Sequence, residues 1–407
     1  MMMKNYLFTA LLASFALFSC ANDDEGSSID NSSVEAPATY VFERDGQSTV
    51  SFEGQTTRIL MAGEIAGAFN DFDASTEASV KAMFAHQEGE NNFSDSRLNA
   101  SGKNVRSKTA ASKDYFGSNA TEAATIKNTF DGYIDNHFAE VVPNRNVAAA
   151  PGVSGQIADG SSPRYVAANG LEMNQIFAKG LIGALMADQM LNNYLSTSVL
   201  DEANNRTDND NEITVADKPY TTMEHKWDEA YGYLFGAAQN TANPVPAIGE
   251  ADGFLNKYVG KVNSDLDFEG IAQEIFDAFK LGRAAIVAKN YEVRDQQADL
   301  IRQLVSEVIA IRAVYYLQAG KVGIQDGDFG AAFHDLSEGY GFVYSLRFTR
   351  NTADDMPYFS KGEVDSFLSE LLSDGSNGLW NVTPETLDRI SEAIAAKFDF
   401  TVQMAAN

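Results

Sequence analysis

The stretch from Gly170 to Leu195, GLEMNQIFAKGLIGALMADQMLNNYL, is apolar nearly all the way round a helical wheel. A helix that is apolar on every side has to be covered on every side, so the chain must supply other helices to surround it. Glu172, Lys179 and Asp188 interrupt the stretch. That makes it too short and too charged to span about 30 Å of hydrocarbon. The spacing therefore predicts a central, buried helix.

The rest of the chain supplies the cover. Thr57 can cap a helix through RILMAGEIAGAFNDF, and 76–86 reads as a second short helix. Residues 90–115 are polar and read as a loop, whereas 120–139 carry Ile126, Phe130, Ile134 and Phe138 at helical spacing. Residues 142–166 are rich in Pro, Gly, Ala and Ser and read as an inter-lobe linker or binding loop. Thr221-x-x-Glu224 is a capping box, and two long helices follow over roughly 267–289 and 292–319, the second closed by Gly320. Asp328, Ser360-x-x-Glu363 and Thr383-Pro384-Glu385 open three more. Only YVFERDGQSTVSFEGQ, over 40–55, alternates like strands, around the hairpin pair Asp45-Gly46. The expected fold is all-α: roughly ten helices in one bundle or two packed bundles, with a small N-terminal β-hairpin. The expected organisation is a helical domain over 39–407, with lobes at 39–142 and 167–407.

The N-terminus adds a targeting signal. Lys4 precedes an uncharged, mostly apolar run from Tyr6 to Ser19, which reads as a signal peptide over 1–19. Leu17-Phe18-Ser19-Cys20 resembles a lipobox, making Cys20 the lipidated residue. Cys20 is the one cysteine of the chain, so no disulfide forms within it and stability must come from packing. Residues 20–38 read as a lipidated acidic tether, too poor in large apolar side chains to fold alone.

Fifty-seven Asp and Glu face 30 Lys and Arg, a formal charge of −27. Such a field repels a phosphate backbone and excludes nucleic acid as a partner. It also argues against an anionic membrane surface, leaving the lipid as the anchor, and it favours a cation. Against that background the four histidines are informative. His225 precedes Asp228 and Glu229, and His334 precedes Glu338, spacings that place imidazole and carboxylate on one helix face. Two such faces meeting would offer His225, Asp228, Glu229, His334 and Glu338 to a divalent metal, iron or zinc. The bland reading is that each carboxylate only satisfies a partly buried imidazole. No HExxH, CxxC, GxSxG or phosphate loop is present.

Other features carry less. Gly339 and Gly341, inside a helical pattern, mark close approach of a neighbouring helix or a ligand. Arg283, Arg312 and Arg347 sit in apolar helical stretches and are expected to pair with the acids of the His helices. Asp208-Asn209-Asp210-Asn211-Glu212 begins like a calcium loop but lacks its Gly and distant Glu, so it reads as a solvated loop. Trp227, Tyr231, Tyr315 and Tyr316 read as core.

The segments YVFERDGQSTVSFEGQTTRILMAGEI, LNASGKNVRSKTAASKDYF, EMNQIFAKGLIGALMADQML, EHKWDEAYGYLFG and FHDLSEGYGFVYSLRF resemble the domain of unknown function 4856 family, typical of Bacteroidetes lipoproteins. The acidic cluster after Cys20 resembles the export signal of their surface lipoproteins, and reads equally as a plain tether. The family is associated with imelysin-like proteins, which have helical bundles and a Gly-x-His-x-x-Glu motif. That association implies a metallopeptidase or an iron-uptake accessory. His225 would be the counterpart histidine, but Met223 replaces the glycine and Asp228 the glutamate.

The expected function is thus a lipoprotein of the outer membrane, facing the periplasm or the exterior, that binds metal for acquisition. The alternatives are a metallopeptidase with Glu229 as general base, and a structural subunit beside an outer-membrane transporter. Oligomeric state stays open. If Cys20 carries the lipid, Cys20→Ser shifts the protein from the detergent phase to the aqueous phase in Triton X-114 partition. Unchanged partitioning refutes the anchor.

Overall fold

The computed structural model describes residues 34–373 and 377–407. The expected signal peptide, Cys20 and most of the expected tether lie outside the described residues. Asp45 and Gly46 both take positive φ, 53° and 74°, the turn geometry that matches strand twist. They join β1 (Glu43–Arg44) to β2 (Gln47–Ser48), the expected hairpin.

The remainder is helical. The longer helices are α1 (Glu53–Ala68), α2 (Glu77–Phe84), α3 (Ala120–Asn136), α4 (Met173–Leu181), α5 (Thr222–Phe235), α6 (Leu255–Asn263), α7 (Ile271–Val287), α8 (Tyr291–Asp326), α9 (Phe329–Ser345), α10 (Lys361–Leu371) and α11 (Pro384–Ala395). The capping boxes at Thr221–Glu224 and Ser360–Glu363 form, and Asp328 and Thr383 cap their helices. α8 packs against α7, α9 and α11, and α9 also lies on α4. One core runs from Tyr40 to Ala405. No helix among the described residues is long and apolar enough to cross a membrane.

The apolar stretch from Gly170 is the predicted buried helix, but its hydrogen bonding changes along its length. α4 continues through Ile182–Ala187 and Met190–Tyr194 with wider i→i+5 turns. In the first of these stretches the cause is an inserted side chain. Ser345 Oγ lies 3.0 Å from Gly183 N and 2.8 Å from Lys179 O, between the two groups that an α-helix would pair.

Four boundaries differ from expectation. α1 starts at Glu53, not after Thr57, because the Thr57 hydroxyl donates back to Glu53 O at 2.9 Å instead of capping. Gly320 does not end α8. It lies inside the helix, where a Cβ would meet Leu336 Cγ at 2.5 Å, and the helix ends instead at Gly327 with φ 74°. The region before residue 267, where the sequence reading places no helix, contains α6. The 142–166 segment folds in part as a hairpin, β3 (Gly155–Asp159) with β4 (Ser162–Val166), docked on α9.

Glycines mark the tight crossings. At Gly341 a Cβ would meet Lys179 Cβ at 2.4 Å, and at Gly339 it would meet Tyr316 Cβ at 3.3 Å, so the glycine pair of α9 serves helix packing against α4 and α8. At Gly282, in α7, a Cβ would meet Trp227 Cζ2 at 2.1 Å. Trp227 is fully buried and donates from Nε1 to Phe279 O at 3.0 Å, so it has no freedom to retreat. Gly282→Ala is expected to cost about 1–3 kcal/mol or more by overpacking. Urea unfolding reads this as a lower midpoint at unchanged slope.

Candidate functional site

The capping box sets where α5 begins, and so which way its next residues face. His225 sits at the edge of the molecule's interior, stacked on Tyr220 with 4.7 Å between ring centroids. Its Nδ1 lies 3.0 Å from Ser51 O and donates to it, which leaves Nε2 as the acceptor, 4.0 Å from Glu229. Burial lowers its pKa, against the pull of Glu229, so the ring is neutral at pH 7. Glu229 accepts from Lys226 at 2.8 Å and Gln55 at 3.0 Å. Burial alone would raise its pKa, but Lys226 and His225 hold it below the ordinary glutamate value.

Asp228 turns inward. It is completely buried and accepts from Tyr40 Oη at 2.7 Å, Ser51 N at 3.1 Å and Arg283 Nε at 3.1 Å. Burial pushes its carboxyl up to about 6 against the pull of Arg283. Arg283 also donates to Glu224 at 3.1 Å and Thr49 at 2.9 Å. The expected pairing of Arg283 with an acid of this helix is therefore present. Arg347 pairs instead with Glu122 of α3, and Arg312 lies over Tyr315, 3.9 Å from the ring centroid.

His334 stands between two carboxylates, Nδ1 at 3.2 Å from Glu172 and Nε2 at 3.6 Å from Glu338. Glu338 also binds Lys179 at 3.2 Å and Tyr258 Oη at 3.0 Å. The carboxylates occupy opposite nitrogens of one ring, so a single ion cannot take that ring and both of them. The structure thus brings His225 to Glu229 and His334 to Glu338, with Glu172 added. No hydrogen bond or ion pair among the described residues joins the two sets. Among the described residues no group of three or more His, Cys, Asp or Glu side chains is arranged to hold a metal. Asn209, read above as part of a solvated loop, is buried and binds Ile286 O at 2.8 Å.

Beside His225 opens a cleft of about 620 Å³. Six cations line it: Arg58, Lys103, Lys108, Lys113, Lys218 and Lys226, against Glu53, Glu202 and Glu229. One fifth of the chain's 30 Lys and Arg thus gather in one place. Lys113 pairs with Glu202 at 2.8 Å and Lys226 with Glu229, but Arg58, Lys103, Lys108 and Lys218 make no ion pair among the described residues.

Buried contacts hold these groups in place. Asp188 of the long helix accepts from Ala111 N, Ser112 N and Ser112 Oγ at 2.9, 2.9 and 2.6 Å, fixing the loop that carries the lysines. Arg58 ties α1 to that loop through Asn104 O at 3.2 Å. Tyr194 forms a wall, with Lys108 Nζ 5.8 Å and Lys226 Nζ 5.5 Å from its ring centroid. Burial, then Arg58, lowers the Lys108 pKa. Sequence reasoning missed this cleft because its residues run from 51 to 229 with no motif. The one usable signal was a lysine-rich loop over 103–113 in an acid-rich chain.

Fold and cleft together define an acidic helical-bundle protein with a concentrated patch of cations, four of which make no ion pair among the described residues. The chain belongs to the domain of unknown function family DUF4856, whose profile matches residues 37–401. No curated protein and no solved structure matches it significantly. Arg283→Met leaves Glu224 and Asp228 buried with too little countercharge. It is expected to cost about 3–5 kcal/mol, read as a lowered midpoint in urea unfolding followed by circular dichroism.

Proposed function

We propose that this protein is a lipid-anchored binding protein, not an enzyme, and that it captures a small organic anion in the cationic cleft. One observation carries the reading: Arg58, Lys103, Lys108 and Lys218 share a cleft and make no ion pair among the described residues, in a chain where acids outnumber bases nearly two to one. In such a chain unpaired cations are costly to gather unless a ligand supplies the countercharge. Tyr194 and Tyr220 add ring faces for the ligand's carbon skeleton. A metal would enter as an anionic complex, which keeps a role in metal acquisition without asking His225 and His334 to share an ion. The peptidase alternative has less support, since Glu229 is already engaged by Lys226 and Gln55.

Titration calorimetry with citrate, ferric citrate and inorganic phosphate at low ionic strength tests the proposal. Saturable binding is expected with at least one. Lys108→Met is expected to weaken it about tenfold, the loss of one charge-assisted hydrogen bond. Affinity should also fall as pH rises through the lowered Lys108 pKa, because only the protonated amine attracts the anion. That decline begins below the range of an ordinary lysine, about 10.4, and disappears in Lys108→Met. No saturable heat with any of the three, or equal affinity in a Lys103→Met/Lys108→Met double variant, overturns the proposal.

A further inference from the structure

The unpaired cations of the cleft beside His225 come from three separate stretches of chain and take separate positions. Arg58 of α1 and Lys103 of the loop between α2 and α3 converge on Gly54, where a Cβ would lie 3.3 Å from Lys103 Cε and 3.6 Å from Arg58 Nη1. Arg58 is 6 % exposed and clamped, its Nε donating to Asn104 O at 3.2 Å and its Nη1 to Gly54 O at 3.1 Å. Lys108 stands beside Tyr194. Lys218 comes from the exposed turn before α5.

Countercharge inside the cleft is short. Glu202 and Glu229 are taken by Lys113 and Lys226, at 2.8 Å each. Glu53, itself exposed, is the one lining carboxylate left for Arg58, Lys103, Lys108 and Lys218. The lining therefore holds three positive charges in excess. These charges act on one another. After burial, repulsion from Arg58 and then from Lys226 and Lys103 lowers the Lys108 pKa, against the pull of Glu229.

A ligand with one charge would leave most of that excess unmet. A compact dianion such as phosphate would meet one position and leave the others. At about 620 Å³ the cleft has room for a carbon skeleton that spreads several charges. Val199 is the one aliphatic side chain of the lining, so nothing there would cover an apolar tail. Building on the reading of the cleft as an anion site, we infer that its ligand is a hydrophilic tricarboxylate. One carboxylate lies against Arg58 and Lys103, one against Lys108 and one against Lys218.

Butyrate, glutarate and tricarballylate share a three-carbon chain and carry one, two and three carboxylates. Titration calorimetry of the full chain with each, and with inorganic phosphate, at low ionic strength and neutral pH tests the inference. Affinity is expected to rise about tenfold with each added carboxylate, the worth of one charge-assisted hydrogen bond. Tricarballylate is expected to bind more tightly than phosphate. Lys108→Met and Lys218→Met should each remove most of the gain from the third carboxylate. Lys218 is exposed, so its substitution leaves the melting temperature unchanged. Equal affinity for the three carboxylates, phosphate binding as tight as tricarballylate, or the full gain kept in both variants overturns the inference while the anion-binding reading stands. Absence of binding by all four, and by citrate and ferric citrate, overturns both.

Discussion

Arg283 is wholly buried, and the way its charge is met fixes the geometry of the N-terminal half. Desolvating a guanidinium costs several kcal/mol unless carboxylates and hydrogen bonds surround it. Glu224 and Asp228, one turn apart on α5, provide the carboxylates, and Thr49 provides a hydroxyl. Two acids around one base leave an excess of negative charge. Arg44 corrects it by donating to Glu224 at 2.9 and 3.1 Å, and Tyr40 donates to Asp228. Residues 40–51 are therefore fastened to α5 by charge compensation, with little help from sheet, because β1 and β2 are two residues each.

The consequence reaches the cleft through Ser51. Its N–H donates to Asp228, and its carbonyl accepts from His225. One residue thus links the buried cluster to the neutral imidazole at the cleft edge. α1 starts two residues later, which sets Gly54, Gln55 and Arg58 along the cleft wall. On the opposite wall Asp188 does similar work, holding the lysine-bearing loop with three donors. The cationic cleft is built on buried carboxylates that face away from it.

Close backbone approach does for the C-terminal half what charge does for the N-terminal half. Gly320 and Gly323 let α8 lie against Leu336 and Ala332 of α9, and Gly341 lets α9 lie against Lys179. Ser345 is drawn so near that its hydroxyl enters the backbone bonding of the long helix. A glycine in these helices therefore signals a crossing more often than an end. The expectation that Gly320 would terminate its helix failed for that reason.

Local chemistry was legible in the chain. The Asp-Gly hairpin, both capping boxes, the Asp328 and Thr383 caps and the buried helix from Gly170 depend on contacts a few residues apart, where residue type and spacing suffice. The pairs His225–Glu229 and His334–Glu338 were legible for the same reason, being one turn apart. Which partner comes from elsewhere was not. Asp228 turns to Arg283, 55 residues on, and His334 gains Glu172, 162 residues back. The gathered cations of the cleft come from separate helices and loops. Their meeting depends on how those helices cross, and crossing is decided by side-chain volume and buried charge across the whole core, which no window of sequence contains.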